Sequence, residues 1–377
     1  MKRICLVALF SLMALPALAA DYPESVVVFT READDAYAAI RIPAIVQSKA
    51  GTLLAFAEGR PLDNDHGQND IILRRSEDGG TTWGTLQVVA ESGNDSLNDP
   101  CALALSDSGR VILFYQRYPE GYHGGVMAHT KRADLGYGGP TNTQSFMIAS
   151  DDDGVTWSKP RDVTRQLRRP DVVAVGSPGN FIQIAGGPHA GRLVLPLYET
   201  VPINEMEQPH RLTAAYSDDL AETWKLGERM SYERIEGWGT EAQIAEMDNG
   251  TLLMSARDET GNLGRIFSTS DDGGATWSAA KFDTQLMTPP CMSSLVSVAG
   301  AEGKRVLFHT LPQTDRAREN GQLFRSSDGG ATWAFDQLIY PEGFAYSALV
   351  VLKDGRLGCL YERDEYKSIS YAILDVK

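Results

Sequence analysis

The chain has 377 residues, 42% hydrophobic and 23% charged, an ordinary globular composition with enough apolar residues for a large core. Its formal net charge of −15 argues against nucleic acid or an anionic membrane as partner. An anionic ligand would need a local cluster of positive charge.

Lys2 and Arg3 precede an apolar run from Ile4 to Leu15, and Ala17-Leu18-Ala19 forms a small-x-small site. This pattern predicts a secretory signal peptide over residues 1–20, cut after Ala19 or Ala20. The run is too short to span a bilayer. No other segment is long and apolar enough, so no membrane insertion is expected after cleavage. The mature chain is expected to be secreted or periplasmic. Residues 21–377 read as a single domain. Cys5 leaves with the signal, and Cys101, Cys291 and Cys359 sit in apolar segments, where buried free thiols are expected. No spacing resembles a metal site, and no cofactor is implied.

Two repeats then set the architecture. The first is Ser-x-Asp-x-Gly-x-Thr-Trp, at Ser76–Trp83, Ser150–Trp157, Ser270–Trp277 and Ser326–Trp333. A weaker copy at Ser217–Trp224 has Ala221 in place of the glycine. Ser and Asp side chains bond nearby backbone amides, and glycine takes a positive φ. This is a turn device, not a catalytic one. The second repeat is a glycine opening a short apolar strand, at Gly51, Gly109, Gly191, Gly250, Gly303 and Gly355. Each is preceded by another apolar stretch. Each unit therefore reads as strand, turn, strand, loop, strand, box, strand. Six such units predict an all-β, six-bladed β-propeller of four-stranded antiparallel blades. The last unit lacks a box and is one strand short. Val26–Thr30 is expected to supply that outer strand and close the ring.

Polar residues recur at fixed offsets from the blade glycines. Arg41 and Asp99 lie 10 residues before Gly51 and Gly109, and Glu241 and Tyr346 lie 9 before Gly250 and Gly355. All four fall at the entry of an innermost strand. Arg257 and Glu362 lie 7 residues after Gly250 and Gly355, at the exit of the next strand. Entry and exit share one rim, because the two strands are antiparallel. Arg60, Asp65 and Arg318 lie at or beyond strand exits on that rim too. The boxes fall on the opposite face. Three arginines with few obvious carboxylate partners suggest a bound anion at the mouth of the channel.

With these residues in place, the chain resembles the bacterial-type sialidases over about residues 25–375. The motifs are Arg41-Ile42-Pro43, the loop from Asp65 to Ser76, Glu241-Ala-Gln, Ser-Ala-Arg257, Arg318-Glu-Asn, Ala-Tyr346-Ser and Leu-Tyr-Glu362. The ordered set is specific, although a lone box is not. The resemblance implies that Arg41, Arg257 and Arg318 grip a substrate carboxylate, and that Glu362 holds Arg41. It implies Tyr346 as nucleophile, Glu241 as its base and Asp65 as acid/base. Arg60 and Asp99 resemble positions that contact ring hydroxyls. The implied activity is a retaining exo-α-sialidase acting on sialylated glycans. The chemistry is consistent: sialic acid carries a carboxylate on its anomeric carbon, and a neutral tyrosine avoids the repulsion a carboxylate nucleophile would meet. The same residues would serve a trans-sialidase, an intramolecular trans-sialidase or an enzyme preferring a deaminated sugar. A non-catalytic glycan-binding propeller is the further alternative. Gln116, Phe181 and Tyr198 are offered for the N-acetyl pocket. His66 and His123 have no partner pattern that supports an acid/base role. Ile40, where the family often has an aromatic, is expected to alter packing only.

Overall fold

The computed structural model describes residues 22–125, 129–204, 209–233, 239–300 and 304–376. The expected signal over 1–20, with Cys5, and the blade glycine Gly303 lie outside the described residues. The chain is all-β, with mostly antiparallel sheets in a propeller-like arrangement.

Two repeat units form four-stranded sheets as the sequence predicts. One contains Ala39–Gln47, Leu53–Arg60, Asp70–Ser76 and Gln87–Ala90 in spatial order. The other contains Gly239–Glu246, Leu252–Asp258, Arg265–Ser270 and Lys281–Asp283. The second unit runs Ser96–Ala104, Val111–Tyr118, Gln144–Ser150 and Arg161–Asp162, and gains a parallel fifth piece, Gly179–Asn180, on its inner strand. That piece comes from the third unit, whose inner strand is broken into Ala174–Gly176, Gly179–Asn180 and Ile182–Gln183. Pro178 cannot donate to a ladder, and Gly179 turns the chain at a φ of 99°.

The last two units share one seven-stranded sheet. Its 18-residue strand Ala334–Val351 pairs through its first half with Glu319–Ser326 and through its second with Leu357–Arg363. Ser368–Leu374 follows, and Ser25–Thr30 pairs antiparallel with it, Val26 opposite Tyr371. The N-terminal strand thus closes onto the C-terminal one, as expected. Apolar cores lie between neighbouring sheets: Phe56 and Leu73 of the first unit pack with Leu113 and Ile148 of the second. Cys101, Cys291 and Cys359 are buried and free.

The boxes sit at the strand end away from the rim. Asp70 pairs with Gly59, whereas Ser76, which opens a box, pairs with Leu53 at the other end. Ser76 Oγ accepts the Gly80 N–H at 2.8 Å, and Asp78 accepts from Thr82 N and Oγ1 at 2.9 and 2.6 Å. In the weak copy Ala221 takes the glycine position at a φ of 72°, and Ser217 still accepts its N–H at 2.9 Å. Trp224, buried against Phe181, helps hold that strained turn.

Candidate active site

Four inner strands break register at the same depth. The breaks fall at Arg41/Ala44, Asn98/Cys101, Thr240/Ala242 and Phe344/Ser347. Ile42, Asp99 and Glu241 take φ values of 60°, 56° and 34° there. Such bulges bend a strand and re-aim its side chains. A β-branched residue at positive φ is an outlier, and Ile42 is held in it by Glu362, which accepts its N–H at 2.9 Å.

Tyr346 stands at the centre. Its hydroxyl donates to Glu241 Oε1 in a short hydrogen bond and accepts from Arg257 Nη1 at 2.8 Å. The same Nη1 reaches Glu241 Oε2 at 2.9 Å. The guanidinium carbons of Arg41 and Arg318 lie 5.4 and 5.2 Å from the Tyr346 ring centroid. The three arginines therefore surround one phenol.

Each arginine is held differently. Glu362, fully buried, takes Arg41 Nε and Nη2 at 2.8 and 3.0 Å. It also accepts the Tyr346 N–H at 3.2 Å, so one carboxylate ties both strands. Arg257 pairs with Glu241 and, through Nε at 2.7 Å, with Glu259. Arg318 donates from Nε and Nη2 to the Pro290 carbonyl at 3.2 and 2.8 Å, and makes no ion pair among the described residues. The sequence impression of arginines with few carboxylates is thus corrected for two of the three. Buried guanidinium groups need counter-charge: Arg41 finds it in Glu362, far away in sequence, and Arg257 in Glu241 on the neighbouring strand and Glu259 two residues on.

Asp65 is half exposed and bonds Arg60 Nη1 at 2.5 Å. Arg60 in turn is clamped by the buried Glu58 at 2.8 and 2.6 Å. Glu58 also accepts the Asp99 N–H at 2.8 Å. Asp65, Arg60, Asp99, Glu241, Arg257 and Tyr346 line one cavity of about 360 Å³. Arg318 and Glu362 line the adjoining groove.

Electrostatics follow the packing. Burial, then Glu241, push the Tyr346 phenol well above its ordinary value, against the pull of Arg257 and Arg318. It is therefore a neutral group in the free protein. Burial opposes the Arg41 charge, but Glu362 outweighs it and raises the pKa. Burial would raise Asp65, yet Arg60 more than offsets this and holds it below the usual carboxylate value. Burial, with Glu58 and Glu241 nearby, pushes Asp99 well above that value.

Of the three residues offered for an N-acetyl pocket, only Tyr198 reaches the cavity, donating from its hydroxyl to Asp99 at 3.2 Å. Gln116 is buried, its amide 2.6 Å from Ser145 Oγ on the next strand. Phe181 packs on Trp224 and lines a cavity formed by the opposite strand ends, because the third unit's inner strand is broken. His66 and His123 line the site cavity with ring centroids 3.8 Å apart. Burial pushes His66 down to about 4, so it is neutral at neutral pH. Ile40 is buried in a core cluster.

Sequence reasoning missed Glu58, although a signal existed. It lies 7 residues after Gly51, the same offset as Arg257 and Glu362 from their glycines. It also missed Glu259, two residues after Arg257, and Tyr366, for which no motif or offset gave a sign.

Residues 51–359 match the family model described as BNR repeat-like domain. The sialidase of Micromonospora viridifaciens is 31% identical over 335 residues, covering 85% of this chain and 49% of that protein. The sialidase of Bacteroides fragilis is 30% identical over 348 residues, covering 87% and 61%. Among solved structures, a Hadza microbial sialidase aligns at a TM-score of 0.79 and 26% identity, over 93% of this chain and 68% of that one. The fold and the family match define an all-β, BNR-repeat protein. The chain belongs to the bacterial-type sialidase family with that repeat. It spans about half the length of the Micromonospora relative.

Proposed function

We propose that the chain is a retaining exo-α-sialidase that removes terminal sialic acid from glycoproteins, glycolipids and oligosaccharides. The observation that carries this is the hydrogen-bonded Tyr346–Glu241 couple beside Arg257, with Arg41 and Arg318 about the same ring.

The three guanidinium groups bind the sugar carboxylate, since their forked donors match it and stay charged. Tyr346 Oη attacks the anomeric carbon, and its proton passes to Glu241. The glycosidic C–O bond breaks, and the leaving oxygen takes a proton from Asp65. Water then attacks the same carbon and gives its proton to Asp65. The C–O bond to Tyr346 breaks, and the phenol recovers its proton from Glu241. Two displacements at one carbon retain configuration. A phenol raised well above 10 is unreactive alone, so the base in contact with it is required. Arg60 and Asp99 meet the ring hydroxyls from the cavity wall.

Six blades are the count this reading uses. Support comes from the two regular four-stranded sheets and from the double pairing of Ala334–Val351, which lets seven strands serve two blades. The apolar leader over residues 1–20 supports export, with the domain at 21–377 acting as a secreted or periplasmic enzyme. An exported protein beginning at Ala20 or Asp21 by mass spectrometry would agree; a retained leader would not.

Release of a fluorogenic aryl from its sialoside, followed by proton NMR, tests the proposal. The α-anomer of free sialic acid should appear first. No release would contradict a hydrolase, and an anhydro sugar would assign an intramolecular transferase instead.

A further inference from the structure

Asp364, Glu365 and Tyr366 have φ values of 53°, 57° and 66°, three successive left-handed residues with none a glycine. They join Leu357–Arg363 to Ser368–Leu374, and the Lys367 N–H bonds the Arg363 carbonyl at 3.2 Å. Side-chained residues visit this region singly and at a cost. Such strain persists only where the surroundings over-determine it. Here they do. Asp364 accepts from Tyr340 Oη at 2.7 Å and from Arg363 Nε at 2.8 Å, and its N–H donates to the Gly343 carbonyl at 3.0 Å. A Cβ on Gly343 would stand 3.1 Å from Glu365 N, so the two backbones approach closely.

The turn aims one phenol at two arginines. The Arg41 guanidinium carbon lies 4.0 Å from the Tyr366 ring centroid, a stacked cation–π contact. The Tyr366 hydroxyl accepts from Arg318 Nη1 at 3.4 Å. Arg318 donates its other bonds to the Pro290 carbonyl, so Tyr366 is the side chain that meets its outer nitrogen. Glu362 fixes the edge of Arg41 but leaves its faces to aromatic rings.

We infer that Tyr366 is a positioning residue for the anion grip: held on a left-handed turn, it sets the tilt of Arg41 and its spacing from Arg318. This rests on the carboxylate-binding role proposed above. A planar carboxylate is the ligand class that such a fixed pair suits. The carboxylate is gripped alike before and during bond cleavage. Loosening the pair therefore weakens binding without slowing the chemical step.

The test uses the full chain with Y366A and Y366F. Turnover is read on an aryl sialoside, and binding by calorimetry with the dehydrated glycal of sialic acid, which keeps the carboxylate. Y366A should raise KM and the glycal Kd about tenfold, with kcat within about twofold. Y366F keeps the ring on Arg41 and should raise them about threefold. Unchanged KM and Kd in Y366A, or kcat falling as steeply as KM rises, would overturn the inference. Should Y366A fail to fold, Y366F decides: wild-type KM and Kd overturn it. Wild-type protein that binds the glycal without turnover removes the hydrolase assignment, and the Kd comparison still tests Tyr366. Protein that neither binds nor turns over removes both.

Discussion

At the box end of the strands, each aspartate is satisfied within its own turn. Asp78, Asp152, Asp219, Asp272 and Asp328 all accept from a threonine four residues on. At the rim the same chemistry works across the ring. Glu362 holds an arginine 321 positions away, and Tyr346 bonds a glutamate 105 positions away. The boxes are therefore repeatable and independent, while the Tyr346–Glu241 couple and the Arg41–Glu362 pair exist only once distant sheets have come together. Damage should follow that division: rim variants lose turnover, and box variants lose stability.

The largest expected effect is at Tyr346. If Tyr346 is the nucleophile proposed above, Tyr346→Phe should lower kcat about 10³-fold, since the attacking oxygen and the proton it passes to Glu241 are both lost. Circular dichroism should stay unchanged. Retained turnover would remove the phenol from the chemistry.

Asp65→Asn comes next. It should cost about 10²-fold in kcat/KM on a sialoside with an alkyl leaving group, and little in kcat/KM with an activated phenol, whose departure needs no proton; kcat on the phenol should still fall, because the attacking water loses its base. The pH dependence has a sign. Arg60 holds Asp65 below the usual carboxylate value, so the free protein keeps the acid deprotonated above the acid range. The kcat/KM on alkyl sialosides should therefore fall as pH rises, more steeply than on aryl ones. Equal slopes would argue against the acid role.

Two of the three arginines around the phenol should separate by readout. Arg318→Ala should reduce kcat/KM about 30-fold with the fold intact, because it leaves no carboxylate orphaned. Arg41→Ala should also destabilise by about 3 kcal/mol, because Glu362 is then a buried charge without its partner. Denaturant titration of both variants distinguishes them; equal stabilities would refute the Glu362 argument.

At the box end, Ser150→Ala removes the acceptor for the Gly154 N–H and should cost about 1 kcal/mol, leaving KM unchanged. Acid should act there too. Hydrogen bonds from Thr82, Thr156 and Thr332 hold Asp78, Asp152 and Asp328 at about 2. Their folded pKa is below the unfolded value near 3.9, so their contribution is present above about pH 4 and lost as pH falls toward 2. The thermal midpoint measured across that range should decline. A flat profile would mean that the boxes add nothing.

The same division explains what was legible in the sequence. The boxes, the blade glycines and the closing strand show because each is encoded within a few residues. The offset count brought Arg41, Asp99, Glu241 and Tyr346 to one rim because their strands share a bulge position. The count failed at Phe181, where Pro178 and two nearby glycines break the strand. Gln116 kept the offset, but a neighbouring hydroxyl captured its amide. Tyr366 was invisible because its reach depends on backbone angles that no local pattern announces. The Arg41–Glu362 pair was hidden because its partners, 321 positions apart, meet only when distant strands come together, whereas Arg60–Glu58 and Arg257–Glu259 lie two residues apart and were open to a local reading.

A retaining double displacement through Tyr346 requires that its oxygen become bonded to the sugar. An activated fluoro-sialoside, whose second displacement is slow, should trap that species. Digestion and mass spectrometry should find the added sugar on the peptide carrying Tyr346. Its appearance on another residue, or full turnover with no adduct on any peptide, would contradict the account.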